Sequence, residues 1–268
     1  MVTSFFNKQK NSDLRWYREL FIVLVRRNLK RRYRGSFLGI YWSLFNPLVM
    51  TGLYTAIFGA TFAQYYGDSN LNYVLAAFTG LSVFNFFSSS TVLALTSVVE
   101  NGSMVNKIRL PLFIFPLSTI GASIFQFLMT VFPLIFIVTL IVSQSLLSTI
   151  ALILPTIALV LVCTGVSLLT SAFYVFFRDL PYFYELVTFC LWIGSPIFYP
   201  PEIVPEAVRK FLILNPVLPI VESIRQIALS GDLPNLMLII HSLASGSIVL
   251  AIGAVVFSSW RDQFMDLL

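Results

Sequence analysis

The residues able to do chemistry are few and fall into small groups. A polar turn runs from Glu100 to Arg109, a charged doublet stands at Arg178–Asp179, and Glu222 and Arg225 lie three apart. The catalytic sets are missing. His241 is the sole histidine, and Cys163 and Cys190 both sit in apolar stretches where no disulfide is expected. No HExxH, GxSxG or paired-cysteine metal pattern occurs. Without a GxxxxGK(S/T) run the chain has no P-loop of its own to cradle ATP phosphates. The Glu222/Arg225 spacing suits an ion pair on one helix face. In ENGSMVNKIRLPLFIFP, Lys107 and Arg109 occupy a short polar turn closed by Pro111. That turn reads either as a contact for a soluble partner or as an ordinary basic loop between two apolar segments.

The elements that must carry these groups are apolar helices. Of 268 residues, 57% are hydrophobic and 11% charged, with a mean hydropathy of +0.86. A soluble domain carries about a quarter charged residues, so a soluble globular enzyme, a disordered chain and a disulfide scaffold are all excluded. A spanning helix needs ~20 apolar residues. The uncharged stretches predict six, near 37–63, 73–99, 111–142, 148–177, 182–199 and 235–258. The long third stretch divides where SQSLLS (143–148) interrupts it. No Asp or Glu enters the first four predicted spans, whereas proton- or sodium-coupled carriers keep such groups there. Energy for any transport must come from elsewhere, or the protein is passive.

Charge sets the expected orientation. Ten of the 17 basic residues precede position 35. With the N-terminus inside, Lys107, Arg109, Arg178 and Arg261 also fall inside, leaving Arg209, Lys210 and Arg225 outside. The positive-inside rule therefore puts both termini in the cytoplasm. The leader is read as facing anionic lipid headgroups rather than nucleic acid. Within it, Arg15, Arg18 and Glu19 share one helical face opposite Trp16, Leu20, Phe21, Val23 and Leu24, the pattern of an amphipathic helix in the membrane plane. Gly35 and Gly39 stand four apart, a spacing that permits close helix approach. Asn46–Pro47 removes a hydrogen bond inside the first span and can kink it.

Between spans five and six, Pro196, Pro200, Pro201 and Pro216 cut an apolar segment into pieces too short to span. Two short helices dipping into the outer leaflet are expected, with Glu222 and Arg225 paired or lining water. Most Tyr and Trp residues lie near predicted span ends, as an interfacial belt would. Within spans, Tyr54 and Trp192 offer faces on which sugar rings could stack.

RYRGSFLGIYWSLFNPL (32–48), GSMVNKIRLPLFIFPLS (102–118) and FRDLPYFYELV…SPIFYPPEIVPE…NPV…IVESIRQ (177–226) occur in this order. Together they resemble the type-2 ABC transporter permeases of the polysaccharide export family, over about Leu14 to Trp260. The resemblance implies an all-α integral membrane protein of the inner (cytoplasmic) membrane. It would have six transmembrane helices, an N-terminal amphipathic interface helix and two short re-entrant helices between spans five and six. Residues 1–34 would be the basic leader, 35–262 the transmembrane domain and 263–268 a short cytoplasmic tail. Such a chain is a transport subunit, not an enzyme. Two copies form the pore, and two copies of a separate ABC ATPase hold the ATP and Mg, so no cofactor is expected here. Lipid-linked polysaccharide is the implied substrate, and membrane lipids the other partner.

Site residues follow from the same resemblance. Glu100, Met104, Val105, Asn106, Lys107, Arg109, Arg178 and Asp179 would couple to the ATPase. Glu222 and Arg225 would belong to the external gate helices. From aromatic type and approximate depth, rather than from the resemblance, Trp42, Tyr54, Phe58, Phe84, Phe87, Trp192 and Tyr199 are the candidate pore and glycan contacts. No catalytic or metal-binding residue is expected. Rival readings are an ABC exporter of drugs, peptides or lipids, a membrane-embedded glycosyl- or acyltransferase, and a passive channel. A transferase would need clustered His, Asp or Glu, which the sequence lacks.

Overall fold

A computed structural model describes residues 2–105, 110–212, 215–230 and 235–267. Its described residues form helices, in chain order α1 Val2–Tyr33, α2 Trp42–Phe62, α3 Asn70–Leu95, α4 Ser97–Glu100 and α5 Gly102–Val105. They continue with α6 Ile114–Met129, α7 Val131–Ser143, α8 Leu146–Ala151, α9 Ile153–Phe176 and α10 Leu180–Gly194. The chain closes with α11 Glu206–Leu212, α12 Leu218–Ser230, α13 Leu236–Trp260 and α14 Phe264–Leu267. This is an all-α membrane protein. Among the described residues, five stretches are long and apolar enough to cross a bilayer: Gly39–Tyr66, Asn70–Leu95, Ile114–Ser143, Leu146–Phe176 and Leu236–Gln263. The fifth of the six expected spans is α10, which has 15 residues. At 1.5 Å per residue it reaches about 22 Å, short of a hydrocarbon core of about 30 Å. The helix stops at Gly194 because Pro196 follows and Ser195 is already extended.

The Ile114–Ser143 stretch is broken between α6 and α7. Pro133 has no N–H for the carbonyl one turn earlier. The chain departs from helix at Thr130, whose hydroxyl donates to the Gln126 carbonyl at 2.8 Å. Between α7 and α8, Gln144 takes a left-handed conformation (φ +50°), and the Ser145 hydroxyl accepts from the Ser148 N–H at the start of α8. The SQSLLS interruption is thus a turn with an N-cap. Pro47 lies inside α2, where the Thr51 hydroxyl donates to its carbonyl at 2.7 Å.

α3 runs through the middle of the bundle and is buried along most of its length, from Tyr73 to Leu95. Around it, Phe84, Phe87, Phe127, Leu159, Ile220 and Ile224 belong to one apolar cluster. A second cluster at the α1 end joins Leu24 to Val98, Phe115, Leu168, Phe257 and Phe264. The α9–α13 pair is closest packed. A Cβ on Gly165 would overlap the Val249 carbonyl, and one on Gly253 the Gly165 carbonyl. Small residues that let backbones meet are the usual basis of helix association in lipid. Gly35 and Gly39 do not serve that purpose. Both have positive φ (+76° and +53°) with no neighbour within 4 Å of a Cβ, so they shape the turn between α1 and α2.

Gly165→Ala and Gly253→Ala should each destabilise the bundle by about 1–3 kcal/mol. Gly52→Ala, in open space on α2, should be near neutral. Melting midpoints of the detergent-purified variants check this, and equal midpoints for all three would contradict the packing.

Candidate functional site

At one end of the bundle, α1 lies against α6 and the short helices α4 and α5. Phe21 and Val25 fill the space opposite Gly121, where a Cβ would strike the Phe21 ring. Next to this apolar contact the basic residues of α1 find specific partners. Arg27 donates to the Asn101 side-chain oxygen at 2.7 Å, and Asn101 in turn donates to the Ser97 carbonyl at 2.6 Å. Arg31 pairs with Glu100 at 2.8 Å. The Asn28 amide lies 3.2 Å from the Ser118 hydroxyl. Arg32 donates to Gln126 at 2.6 Å and to Ser123 at 3.2 Å. Burial, and then Arg31, lower the pKa of Arg27 from its usual value, while Glu100 acts in the opposite direction. Arg27 and Arg31 therefore tie the leader to the polar turn after α3, and Asn28 and Arg32 tie it to α6. Glu100 was expected in this region, whereas Asn28, Asn101 and Gln126 were not. Lone amides give no signal in the sequence until their partners are known.

The remaining coupling candidates lie at the same end. Met104 packs against the second apolar cluster. Val105 ends α5, and Asn106, Lys107 and Arg109 lie outside the described residues. Arg178 and Asp179 are exposed just beyond α9. The Arg178 guanidinium lies 5.6 Å from the Tyr174 ring centroid and donates to the Leu267 carbonyl at 3.1 Å. α4 packs against α9, with Val98 and Val175 in one cluster.

Further along the bundle the aromatic candidates divide. Tyr54 stacks on Phe198 at 4.3 Å between centroids, with Trp192 at 6.3 Å and Phe58 at 6.1 Å. Tyr199 meets Phe198 edge-on at 5.2 Å, and its hydroxyl donates to the Ile193 carbonyl at 2.8 Å. Tyr54, Phe84 and Trp192 line a cavity of about 300 Å³ that also includes Asn46, Asn85 and Ser88. Four candidates (Tyr54, Phe58, Trp192 and Tyr199) thus converge on Phe198, a ring not singled out from the sequence. Phe87 is 2% exposed in the core, and Trp42 is 51% exposed beside Phe45. Neither lines this cavity.

At the α11–α12 end, the Ser195–Phe198 turn is pinned from three sides. Arg225, 6% exposed, donates through Nη2 to the Pro196 carbonyl at 2.9 Å and the Ile197 carbonyl at 2.7 Å. The Tyr73 hydroxyl donates to the Phe198 carbonyl at 3.0 Å, and the Asn215 amide to the Ser195 hydroxyl at 2.5 Å. A Cβ on Gly80 would overlap the Ile197 carbonyl, so glycine is needed where α3 passes the turn. The i,i+3 spacing suggested Glu222 as the partner of Arg225. Among the described residues no ion pair within 4 Å joins them; the guanidinium turns to the carbonyls freed by the proline-rich turn. α12 itself buries Ile220, Val221, Ile224 and Ile227 in the first apolar cluster. Ser223 meets Ser242 of α13 at 3.0 Å.

A bundle of apolar helices has its basic leader bonded to one end, a neutral aromatic-lined cavity, and a pinned turn toward the other. These features define a multi-pass membrane permease. The chain belongs to the ABC-2 type transporter family, which it matches over residues 19–229. Two proteins of Klebsiella pneumoniae, each called O-antigen export system permease protein RfbA, are 29% identical to it. They align over 252 and 253 residues, 93% of this chain and 95% of each relative. The protein of the same name from Myxococcus xanthus is 27% identical over 259 residues, 95% of this chain and 97% of the relative.

Arg225→Met leaves two buried carbonyls without a donor, at a cost of about 1–3 kcal/mol for each unsatisfied group. The variant should melt well below Glu222→Gln, which breaks no ion pair. The order of the two melting midpoints in detergent decides whether the carbonyls or Glu222 matter more to Arg225.

Proposed function

We propose that the chain is the membrane subunit of an ATP-driven exporter that moves lipid-linked polysaccharide across the cytoplasmic membrane. The observation that carries this reading is similarity along nearly the whole chain to permeases named for O-antigen export. The cavity supports it. Its lining of Tyr54, Trp192, Asn46, Asn85 and Ser88 is neutral and suits an uncharged polyhydroxyl chain. Two copies of the chain enclose the pore, and each binds one copy of a separate ABC ATPase, which supplies ATP and Mg. Both termini are cytoplasmic.

Energy enters at the polar turn after α3. The 100–109 segment and Arg178–Asp179 meet the ATPase, and displacement of this turn pulls on α1 through Glu100–Arg31 and Asn101–Arg27. Aromatic faces hold sugars through weak stacking, so a long polymer slides rather than lodges. α11 and α12 bound the external mouth.

Replacing Lys107 and Arg109 by Glu should abolish most ATPase recovery in mild-detergent purification while leaving membrane insertion intact. Undiminished co-purification would remove the coupling assignment. Loss of the chain should strip polymer from the cell surface and trap it inside. A surface polymer unaffected by that loss would refute export of polysaccharide.

A further inference from the structure

α6 and α13 each pack on α9, and a groove opens between them at the end of the bundle that holds the leader. It encloses about 580 Å³, within the range of about 300–1,000 Å³ typical of small-molecule sites. Leu168 of α9 forms its floor, with Phe113 and Leu117 on one wall and Ala254 and Phe257 on the other. Ala254 to Arg261 runs about 10 Å along α13 and its continuation, and the groove changes character over that length. Its inner part is apolar, whereas Ser258, Arg261 and Asp262 stand at the mouth.

Trp260 fixes the depth of that mouth. Its ring meets Phe173 edge-on at 5.0 Å and Phe176 at 5.2 Å, and an indole at the end of a spanning helix marks the headgroup level. The groove is thus apolar where the bilayer is hydrocarbon and charged where the bilayer is headgroup, which is the profile of a phospholipid. The charges at the mouth select among headgroups. Arg261 and Asp262 pair at 3.4 Å, with side chains 62% and 87% exposed. A lone phosphate would meet the guanidinium and, beside it, a repelling carboxylate. A headgroup with an ammonium a short ethylene link from its phosphate satisfies both. A primary ammonium has N–H groups to donate to a carboxylate; a trimethylammonium has none.

We infer that the groove between α6, α9 and α13 holds one phospholipid with an ethanolamine headgroup. The phosphate accepts from Arg261, the ammonium donates to Asp262, and one acyl chain lies over Leu168 between Leu117 and Ala254. The Arg261–Asp262 pair, exposed and weak by itself, opens to receive the two ends of the headgroup. Leu110 and Pro111, which directly follow the polar turn, form the adjoining wall, so the bound lipid braces the base of that turn. In the orientation proposed above the lipid belongs to the cytoplasmic leaflet. The site itself needs only the fold, and it stands apart from the path of any exported polymer.

The test uses the full chain, purified in mild detergent and stripped of co-purifying lipid. It is offered an equimolar mixture of phosphatidylethanolamine, phosphatidylglycerol and phosphatidylcholine with identical acyl chains, and retained adducts are read by native mass spectrometry. Phosphatidylethanolamine should be retained about fivefold over each of the others, the scale of one exposed ion pair. Asp262→Asn should remove the preference over phosphatidylglycerol, and Arg261→Gln should lower retention of all three lipids. Both side chains are exposed, so neither change disturbs the core. Ala254→Phe should lower retention of every lipid by filling the groove. Ser258→Trp, at an exposed position of the same wall, should do so too and keeps the test decisive where Ala254→Phe folds poorly. Equal retention of the three lipids, or a preference for phosphatidylglycerol or phosphatidylcholine, overturns the site. So does a preference that survives Asp262→Asn, or retention unchanged in both groove-filling variants.

Discussion

A backbone carbonyl freed by a break in a spanning helix has to find its donor inside the protein, because hydrocarbon supplies none. Much of this molecule is organised around that demand. At Thr51 and Thr130, hydroxyls add a second donor to carbonyls one turn earlier, beside Pro47 and ahead of Pro133, and the Gln126 carbonyl keeps the Thr130 N–H as well. The larger break after Gly194 frees carbonyls at Pro196 and Ile197, and no nearby hydroxyl reaches both. Arg225 is brought in from α12 instead, 28 and 29 residues along the chain. Two carbonyl dipoles meet its Nη2, while Nε and Nη1 are buried without a hydrogen-bond partner among the described residues. Its position requires Gly80 on α3, where any side chain would displace the turn. One interruption thus dictates the residue on a helix far away in sequence and seats α12 in the bundle.

The same demand explains how the ends of the molecule are tied to its middle. Phe198, the last residue of the pinned turn, is the ring against which Tyr54 stacks. Movement of α12 would shift Arg225, then the turn, then the aromatic wall. At the opposite end, the leader is bonded to the turn after α3 by Arg27 and Arg31, beside the apolar contact of Leu24 with Val98. The exposed Arg31–Glu100 pair contributes little stability. The Arg27–Asn101–Ser97 chain, partly buried, is the firmer link.

Some of this was legible in the residues. Runs without charge marked each long apolar helix, and the prolines around position 200 marked the place where α10 stops. Tyr54 and Trp192 stood out as large rings in the middle of apolar segments, and both line one cavity. Other readings failed for physical reasons. Gly35 and Gly39 looked like a packing motif but supply the positive φ of a turn, and a four-residue spacing does not distinguish the two uses. Glu222 and Arg225 looked like a pair, yet unpaired carbonyls across the bundle competed for the guanidinium. Phe87 is as aromatic as Phe84 and packs in the same apolar cluster, yet only Phe84 also reaches the cavity. Asn28, Asn85 and Asn101 carried no periodic signal at all.

Sequence by itself determined the solvent, the helical class and the partition of charge. Those are properties of composition over windows of about 20 residues, the length a bilayer imposes. Only the tertiary structure decided which polar group meets which. The decisive contacts join Arg27 to Asn101 and Tyr73 to Phe198, 74 and 125 residues apart. In an apolar bundle a lone polar side chain has few possible partners and a high cost if it finds none. Its partner is set by how the helices cross, which no local window of residues contains.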